Sequence, residues 1–557
     1  MISIYFNKTA PIRTIIFLTA VAAVCSFVNG KTINSMHKNS TTMKKKRLLF
    51  LVMSVMGLAS MAQQPPISHI ETNNVKATIL GNGSVFVPQK GTYYEQWDTY
   101  HSDCPTWEVP QGSGKETLFQ HALWLGGMDD ASQLHLAAFR YGQIGMDYWT
   151  GPLKPMEATT DLMRALKYHH VWNLTRAEIE QFITNYGNEG YEIPEDILTW
   201  PAHGEEGYAE NIAPFVDVNG DGRYRPADGD YPDIKGDQCL FFIFNDSWDA
   251  HTESGGIPLG LEVQAMVYAF DAPDDEALHN TVFFNYKLFN RSSSDYHEVY
   301  LGIWNDWDIG YAWDDYVGCD VQRGSCFGYN GAPIDGQGQP WAYGDNPPVQ
   351  VCTILAGPYM DADGRDNPAF NGNCGALFNT SHSLDKYAYN GYNFGNGIAD
   401  DERLGMCGFM YFINSPGING DPETDQDYYN YLRGLWKNGN HLQYGGDAYA
   451  GALVVGPDCN FTYPGDSDPC NFGTNGVVPN DGYNMEGKYW TEEQCEHTPN
   501  ERRGLATIGP FSFASGSMQE LDYAMITVWK NDGQSALDRK GEFIDHIRSL
   551  FNNGFRK

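Results

Sequence analysis

Four apolar stretches decide the fold class: "CLFFIFND" (239–246), "GLEVQAMVYAF" (260–270), "NTVFFNYKLFN" (280–290) and "EVYLGIWND" (298–306). Each is rich in β-branched and aromatic residues, and Gly, Pro, Asp and Asn separate one from the next. This pattern predicts consecutive strands of an antiparallel sheet or sandwich. We therefore expect a mainly β fold, with sandwich-like antiparallel sheets, long ordered loops and a small helical insertion.

The organisation predicted around these strands has three parts. An N-terminal β region over 75–238 carries the helical insertion and the loop discussed below, and a β-sandwich-like region with long loops follows over 239–530. In the insertion, Thr175 can cap a helix with Glu178 three positions later, and a second short helix begins near Pro194. A C-terminal helix is expected within 531–557.

The N-terminus predicts export. Residues 1–62 form a leader region in which 43–62 reads as a signal peptide, with four basic residues, an apolar stretch and a small-residue cleavage pattern ending at Ala62. Met43 is the favoured start, and 63–74 is a polar linker. The apolar stretch is too short for a membrane span, so no membrane-spanning segment is expected after signal cleavage.

The charge balance excludes some partners. The chain has 557 residues and a formal net charge of −34, and residues 1–62 hold eight of its 36 basic residues and none of its 70 acidic ones, which leaves −42 on the exported part. Nucleic acid and anionic lipid require a basic surface, so neither is an expected partner. Divalent cations are expected.

The stretch "DVNGDGRYRPADGD" (217–230) predicts a calcium loop. Calcium takes six to eight oxygen ligands, which oxygen-bearing side chains at alternate positions around a glycine can supply. The predicted ligands are Asp217, Asn219, Asp221, the carbonyl of Arg223, and Asp228. Pro226 argues against a helix leaving the loop, so the ion should be structural, with an ion-free Asp/Asn/Gly turn as the alternative.

A weaker calcium site is predicted in "DWDIGYAWDD" (306–315), where Asp306, Asp308 and Asp314 fall at positions 1, 3 and 9. The alternative is a solvated acidic turn between strands.

The cysteines and the known catalytic motifs add little. Ten cysteines remain after the leader, an even number that permits disulfides, with Cys459–Cys470 and Cys319–Cys326 as the nearest pairs. No phosphate loop, zinc-protease motif or nucleophile elbow is complete. Acidic and aromatic residues could still form a glycosidase cleft, although no acid or nucleophile can be assigned from the sequence.

Several segments resemble large exported proteins of bacteria that use the type IX secretion system: "ALWLGG" (122–127), "DVNGDGRYRPADGDYPDIKGDQ" (217–238), "GLEVQAMVYAF" (260–270), "DDYVGCD" (314–320), "DERLGM" (401–406) and "PNERRGLATIGPF" (499–511). The resemblance implies secretion across both membranes, with display at the outer cell surface or release, and it supplies no catalytic residue. Such proteins usually continue into a C-terminal sorting domain, which is not seen before "LFNNGFRK" (550–557). Without that domain, the periplasm is the expected location.

The expected function is therefore a secreted or surface-displayed, calcium-stabilised binding or structural protein that is catalytically inactive. Its partner would be a glycan or a cell-surface protein, contacted through exposed aromatic side chains. The alternative is a secreted hydrolase acting on polysaccharide, which would need two carboxylates about 5 to 10 Å apart in a cleft.

Overall fold

Antiparallel strands dominate the computed structural model, which describes residues 65–85, 106–141, 145–449, 456–479 and 489–555. The predicted leader and signal peptide lie outside the described residues. The described strands are β1 (Ile67–Ile70), β2 (Lys76–Leu80), β3 (Trp107–Glu108), β4 (Gln120–Asp129), β5 (Leu134–Ala137), β6 (Trp149–Thr150), β7 (Trp172–Thr175), β8 (Phe215–Val216), β9 (Tyr231–Pro232), β10 (Gln238–Asn245), β11 (Leu261–Ala269), β12 (Thr281–Asn290), β13 (Tyr296–Trp307), β14 (Asp315–Asp320), β15 (Ser325–Asn330), β16 (Val349–Ala356), β17 (Gly408–Phe412), β18 (Arg502–Phe513) and β19 (Met518–Val528).

The described α-helices are few. They are α1 (Leu162–Lys167), α2 (Arg176–Asn185), α3 (Glu195–Leu198), α4 (Glu276–His279), α5 (Cys374–Phe378), α6 (Asp425–Leu432) and α7 (Ala536–Asn552). The first three form the predicted helical insertion. Thr175 and Glu178 make the predicted reciprocal cap at the start of α2. The predicted C-terminal helix is α7, which buries Phe543, Ile544 and Ile547.

Two sheets face each other as a sandwich. The larger runs in the order β14-β15-β16-β19-β12-β11-β10-β6, with β7 also paired to β10, and the smaller runs β17-β18-β13-β4-β5. The predicted strands over 239–306 are confirmed as β10 to β13. Strands from both sides of residue 238 take part in both sheets, because β6 and β7 join the larger sheet and β4 and β5 the smaller.

Successive side chains along a strand point to opposite faces of the sheet, and this explains how the larger sheet packs on both sides. On β10, Leu240, Phe242 and Phe244 belong to the apolar core shared with the smaller sheet. Phe241 and Ile243 point the other way, into a second core that includes residues of α2 and α7. The larger sheet is therefore buried on both faces, which is why its strands read as continuous apolar runs.

Helix α6 covers the outer face of the smaller sheet at a point where the strands carry glycine. A Cβ on Gly302 would come within 2.6 Å of Leu432 Cδ2, and one on Gly126 within 3.0 Å of Tyr429 Cδ2. Glycine at these two positions lets the helix approach the strands closely. As a result, the C-terminal end of α6 lies directly over β13.

A polar bridge joins the two sheets inside the core. His121 on β4 lies opposite Asn305 on β13, and its Nδ1 is 2.8 Å from Asn305 Oδ1. Its Nε2 is 2.7 Å from the hydroxyl of Tyr523 on β19, in the larger sheet. A neutral ring with its proton on Nδ1 satisfies both contacts, because Nε2 can then accept from Tyr523.

The cysteines pair differently from the sequence-based expectation. Cys470 forms a disulfide with Cys374, not with Cys459. Cys319 and Cys326 do lie directly opposite each other on β14 and β15, but both are free thiols in this structure. Cys374 and Cys470 are 96 residues apart in the sequence, a separation that loop length alone could not suggest.

Candidate functional site

The predicted calcium loop forms the end of a small hairpin. Phe215 pairs with Pro232 and Val216 with Tyr231, so β8 and β9 hold together the two ends of the loop over 217–230. The ends of the loop are thus fixed by backbone pairing before any ion is considered.

Inside the loop, the side chains of Asp217 and Asn219 turn toward the backbone. Asp217 accepts the backbone N–H of Gly220 through Oδ1 and that of Gly222 through Oδ2, both at 2.7 Å, and Asn219 Oδ1 accepts that of Asp221 at 2.9 Å. Gly220 and Gly222 have φ of 74° and 75°, a region that favours glycine. These amide groups, that of Gly222 foremost, hold the pKa of the Asp217 carboxyl below its usual value.

Arginine supplies a cation within the same loop. Arg225 Nη1 donates to Asp221 Oδ2 at 2.6 Å and lies 3.3 Å from Asp228 Oδ2, so two predicted calcium ligands share one guanidinium. The N–H of Arg223 donates to the other Asp221 oxygen at 2.9 Å. A calcium ion bound by Asp221 and Asp228 would therefore have to displace Arg225.

A carboxylate that the sequence analysis did not single out secures the base of the loop. Asp230 is fully buried and accepts the backbone N–H of Val218 at 2.9 Å and that of Arg225 at 2.8 Å. Its place two residues after Asp228 was visible in the sequence, but a calcium motif assigns no role to that position. Asp230 closes the loop on itself without an ion.

The oxygen donors of this loop are of the type that calcium prefers, namely carboxylates, an amide oxygen and a carbonyl. Across the ranges the structure describes, however, no three His, Cys, Asp or Glu side chains are grouped so that they could hold a metal ion. The residues therefore suit calcium by chemistry, and a bound ion would require the Asp221 and Asp228 side chains to leave Arg225. Calcium binding here stays a prediction.

The weaker site is a buried acidic turn at the end of β13. Tyr141 donates its hydroxyl to Asp306 Oδ2 at 2.6 Å, and Arg503 Nε lies 3.7 Å from Asp306 Oδ1. Asp308 is also buried, whereas the partly exposed Asp314 accepts the N–H of Gly336 at 3.1 Å. The structure thus gives Asp306 and Asp314 separate partners at the two ends of the turn.

Burial changes the acidity of this turn. Loss of solvent raises the pKa of Asp306 to about 7, and burial together with the neighbouring Asp306 raises the pKa of Asp308 well above its usual range. One oxygen each of Asp306, Asp314 and Asp315 is buried without a hydrogen-bond partner among the described residues. A cation at Asp306 or Asp308 would therefore have to compete with protons.

One cavity brings acids and aromatic rings together, as a hydrolase would require. It has a volume of about 380 Å³, and Asp466, Asp468, Tyr444 and Tyr489 are among its lining residues. Asp468, however, accepts the backbone N–H groups of Phe472 and Gly473, each at 2.8 Å. Both of its oxygens thus hold a turn, and burial raises its pKa.

Comparison of the sequence with protein families and with curated proteins assigns the chain to no family. No protein-family model matches the chain, and no curated protein matches it. In the described part, none of the helices has the length and apolar character needed to cross a lipid bilayer.

Proposed function

We propose that this chain is an exported binding or structural protein, stabilised by calcium and catalytically inactive, that contacts a glycan or a cell-surface protein. The observation that carries the proposal is that several aspartate side chains hold turns in place. Asp217, Asp230 and Asp468 each accept two or more backbone N–H groups, so they hold turns in place instead of presenting free carboxylates in a cleft. A sandwich with long, fixed loops suits binding.

Export remains part of the proposal and rests on the signal-peptide pattern and on the resemblance to type IX secretion proteins. The location would be the outer cell surface or the medium, or the periplasm if no sorting domain follows. N-terminal sequencing of the mature protein tests it. The expected first residue is Gln63, and a mature chain that retains residues 43–62 would contradict export by this signal.

The calcium part is tested by melting curves with calcium and with a chelator. An ion that binds only the folded chain stabilises it by about 2.7 kcal/mol at a hundredfold excess over Kd. For a protein of this size, that stabilisation corresponds to a rise of roughly 3 °C in melting temperature. Replacing Asp217 and Asp221 by alanine should remove this calcium dependence.

A matched control separates the loop from general charge effects. Asp271 and Asp274 are exposed acids outside the loop, and replacing both by alanine changes the net charge equally. That control should keep the full calcium response. Calcium that leaves the wild-type melting curve unchanged, and gives no heat of binding, would show that the loop is a turn held by its own hydrogen bonds and by Arg225, without an ion.

The binding part is tested on a glycan array, with release of reducing sugar assayed in parallel. Retention of glycans without release supports a binding protein. Turnover that is lost in an Asp466→Asn or Asp468→Asn variant would instead support the polysaccharide hydrolase, because these acids line the cavity that also contains tyrosines.

A further inference from the structure

A second cavity lies where the C-terminal end of α6 meets the smaller sheet. Its volume is about 230 Å³, and we name it the cationic cleft after six of its lining residues: Tyr300, Lys386, Tyr387, Arg433, Asn460 and Thr507. These residues come from β13, from a 3-10 helix over Ser383–Tyr389, from the residue after α6, from a loop and from β18. Such convergence of polar side chains from distant segments is typical of a ligand site.

The two cations of this cleft are unusual for so acidic a protein. The chain carries a net charge of −34, and other buried arginines, such as Arg140 and Arg403, are paired with carboxylates. Neither Lys386 nor Arg433 forms an ion pair with any described residue. The exposed Glu298 acts electrostatically on Tyr300 and Tyr387, but no described carboxylate lies within ion-pair distance of either cation.

The guanidinium of Arg433 is held in place but not satisfied. It lies over the ring of Tyr429, 4.8 Å from the centroid, and Nη2 donates to Asn430 Oδ1 at 3.2 Å. Its Nε is buried and has no hydrogen-bond partner in the described part of the chain. A buried donor without an acceptor is costly, so this guanidinium is less well satisfied than those of Arg140 and Arg403, which are paired with carboxylates.

The uncharged groups of the cleft have spare hydrogen-bonding capacity. The hydroxyls of Tyr300, Tyr387 and Thr507 and the side-chain amide of Asn460 make no hydrogen bond to any residue the structure describes. Burial raises the pKa of both tyrosines, so their hydroxyls keep their protons and can donate. The cleft therefore offers several donors and acceptors beside its two cations.

We infer that the cationic cleft binds one acidic sugar unit, with its carboxylate on Lys386 and Arg433 and its hydroxyls on the tyrosines, Asn460 and Thr507. This inference rests on the proposed binding function and names its ligand class. A cavity of about 230 Å³ is smaller than the 300–1,000 Å³ typical of drug-sized ligands, which fits a single sugar ring. Charge-assisted hydrogen bonds from the two cations would select the acid over a neutral sugar.

Calorimetry with trigalacturonate and its methyl ester tests the inference, because the ester lacks the negative charges of the carboxyl groups and adds only one methyl group to each. The wild-type protein should bind trigalacturonate at least ~10-fold more tightly than the ester. Lys386→Gln and Arg433→Gln should each weaken trigalacturonate binding by ~10-fold or more, whereas Lys386→Arg should retain most of it. Free galacturonate should compete if the cleft takes a single ring.

The control is Lys154→Gln, which changes a partly exposed lysine outside the cleft whose Nζ lies 3.9 Å from Glu157 Oε2. This variant should bind trigalacturonate as the wild type does, and melting curves of all variants establish that they are folded. Equal affinity for the acid and the ester, or no binding of either, overturns the inference. Glycan binding that survives both cleft variants also overturns it but leaves the proposed binding function standing, which only a failure on the whole array would remove.

Discussion

The buried bridge at His121 predicts a specific loss of stability in acid. The ring is fully buried between the two sheets, and burial lowers its pKa from 6.5 to about 4, an effect that the hydrogen bond to Asn305 only partly offsets. Below pH 6.5 the unfolded chain binds a proton at this residue that the folded chain does not bind. The contribution of His121 to the free energy of unfolding is therefore fully present above about pH 6.5 and is lost progressively as the pH falls toward 4.

The magnitude follows from the two pKa values. A difference of about 2.5 pKa units, at about 1.36 kcal/mol each, gives a loss on the order of 3 kcal/mol once the pH is below both values. His121→Gln removes the titration while keeping one donor and one acceptor on the side chain. The variant should be less stable than the wild type at pH 7.5, by about 1 to 2 kcal/mol, because its contacts to Asn305 and Tyr523 are imperfect.

Denaturant unfolding at pH 7.5, 6 and 4.5 provides the measurement. The loss between pH 7.5 and 4.5 should be about 2 to 3 kcal/mol smaller in His121→Gln than in the wild type. His441→Gln changes an exposed histidine and should leave the wild-type pH dependence intact. If His121→Gln and the wild type lose stability in parallel, the ring titrates normally in the folded protein and the reasoning fails.

Two further predictions concern interactions that stabilise the folded protein. Arg140→Met should destabilise the protein by roughly 3 to 5 kcal/mol in denaturant unfolding, because it leaves the buried Glu253, now 3.0 Å from Arg140 Nε, without its cation. Adding Glu253→Gln should restore most of that loss, and a double variant no better than the single one would show that the pair is not coupled. Replacing Cys374 and Cys470 by serine should cost up to about 4.7 kcal/mol, since the bridge closes a loop of about 100 residues. A reductant should lower the wild-type melting temperature to that of the serine variant, and a reductant without effect on the wild type would contradict a stabilising bridge.

The sequence predicted the strands over 239–306 because their composition and the turns between them are local signals. It did not single out β14, β15 and β16 within the region predicted over 239–530 as sandwich-like with long loops. β14 and β15 are short, with six residues each, and Gly318 and Gly328 interrupt their apolar pattern. The pairing of β16 with β19, about 170 residues further along, is a property of the tertiary structure that no local pattern carries.

The candidate sites likewise contain some features that the local sequence predicts and others that depend on side-chain conformation or tertiary structure. The side chains of Asp217 and Asn219 turn into their loop because alternate spacing around glycine produces that geometry locally. The contact of Arg225 with both Asp221 and Asp228 depends on a side-chain conformation that spacing does not define. The cationic cleft could not be predicted at all, because Tyr300 and Thr507 are more than 200 residues apart and meet only when β13 pairs with β18.

The order of strands also governs when the protein can fold. Strands β18 and β19 come last among the described strands, yet β18 lies between β17 and β13 in the smaller sheet and β19 lies between β16 and β12 in the larger. Until residue 528 has left the ribosome, each sheet is divided into two parts that expose unpaired edges. A chain synthesised from its N-terminus therefore stays incomplete until almost its whole length is available. If it is exported, its own topology delays final folding and helps to keep it competent for translocation, and a deletion of 502–528 should leave both sheets open and prone to aggregation.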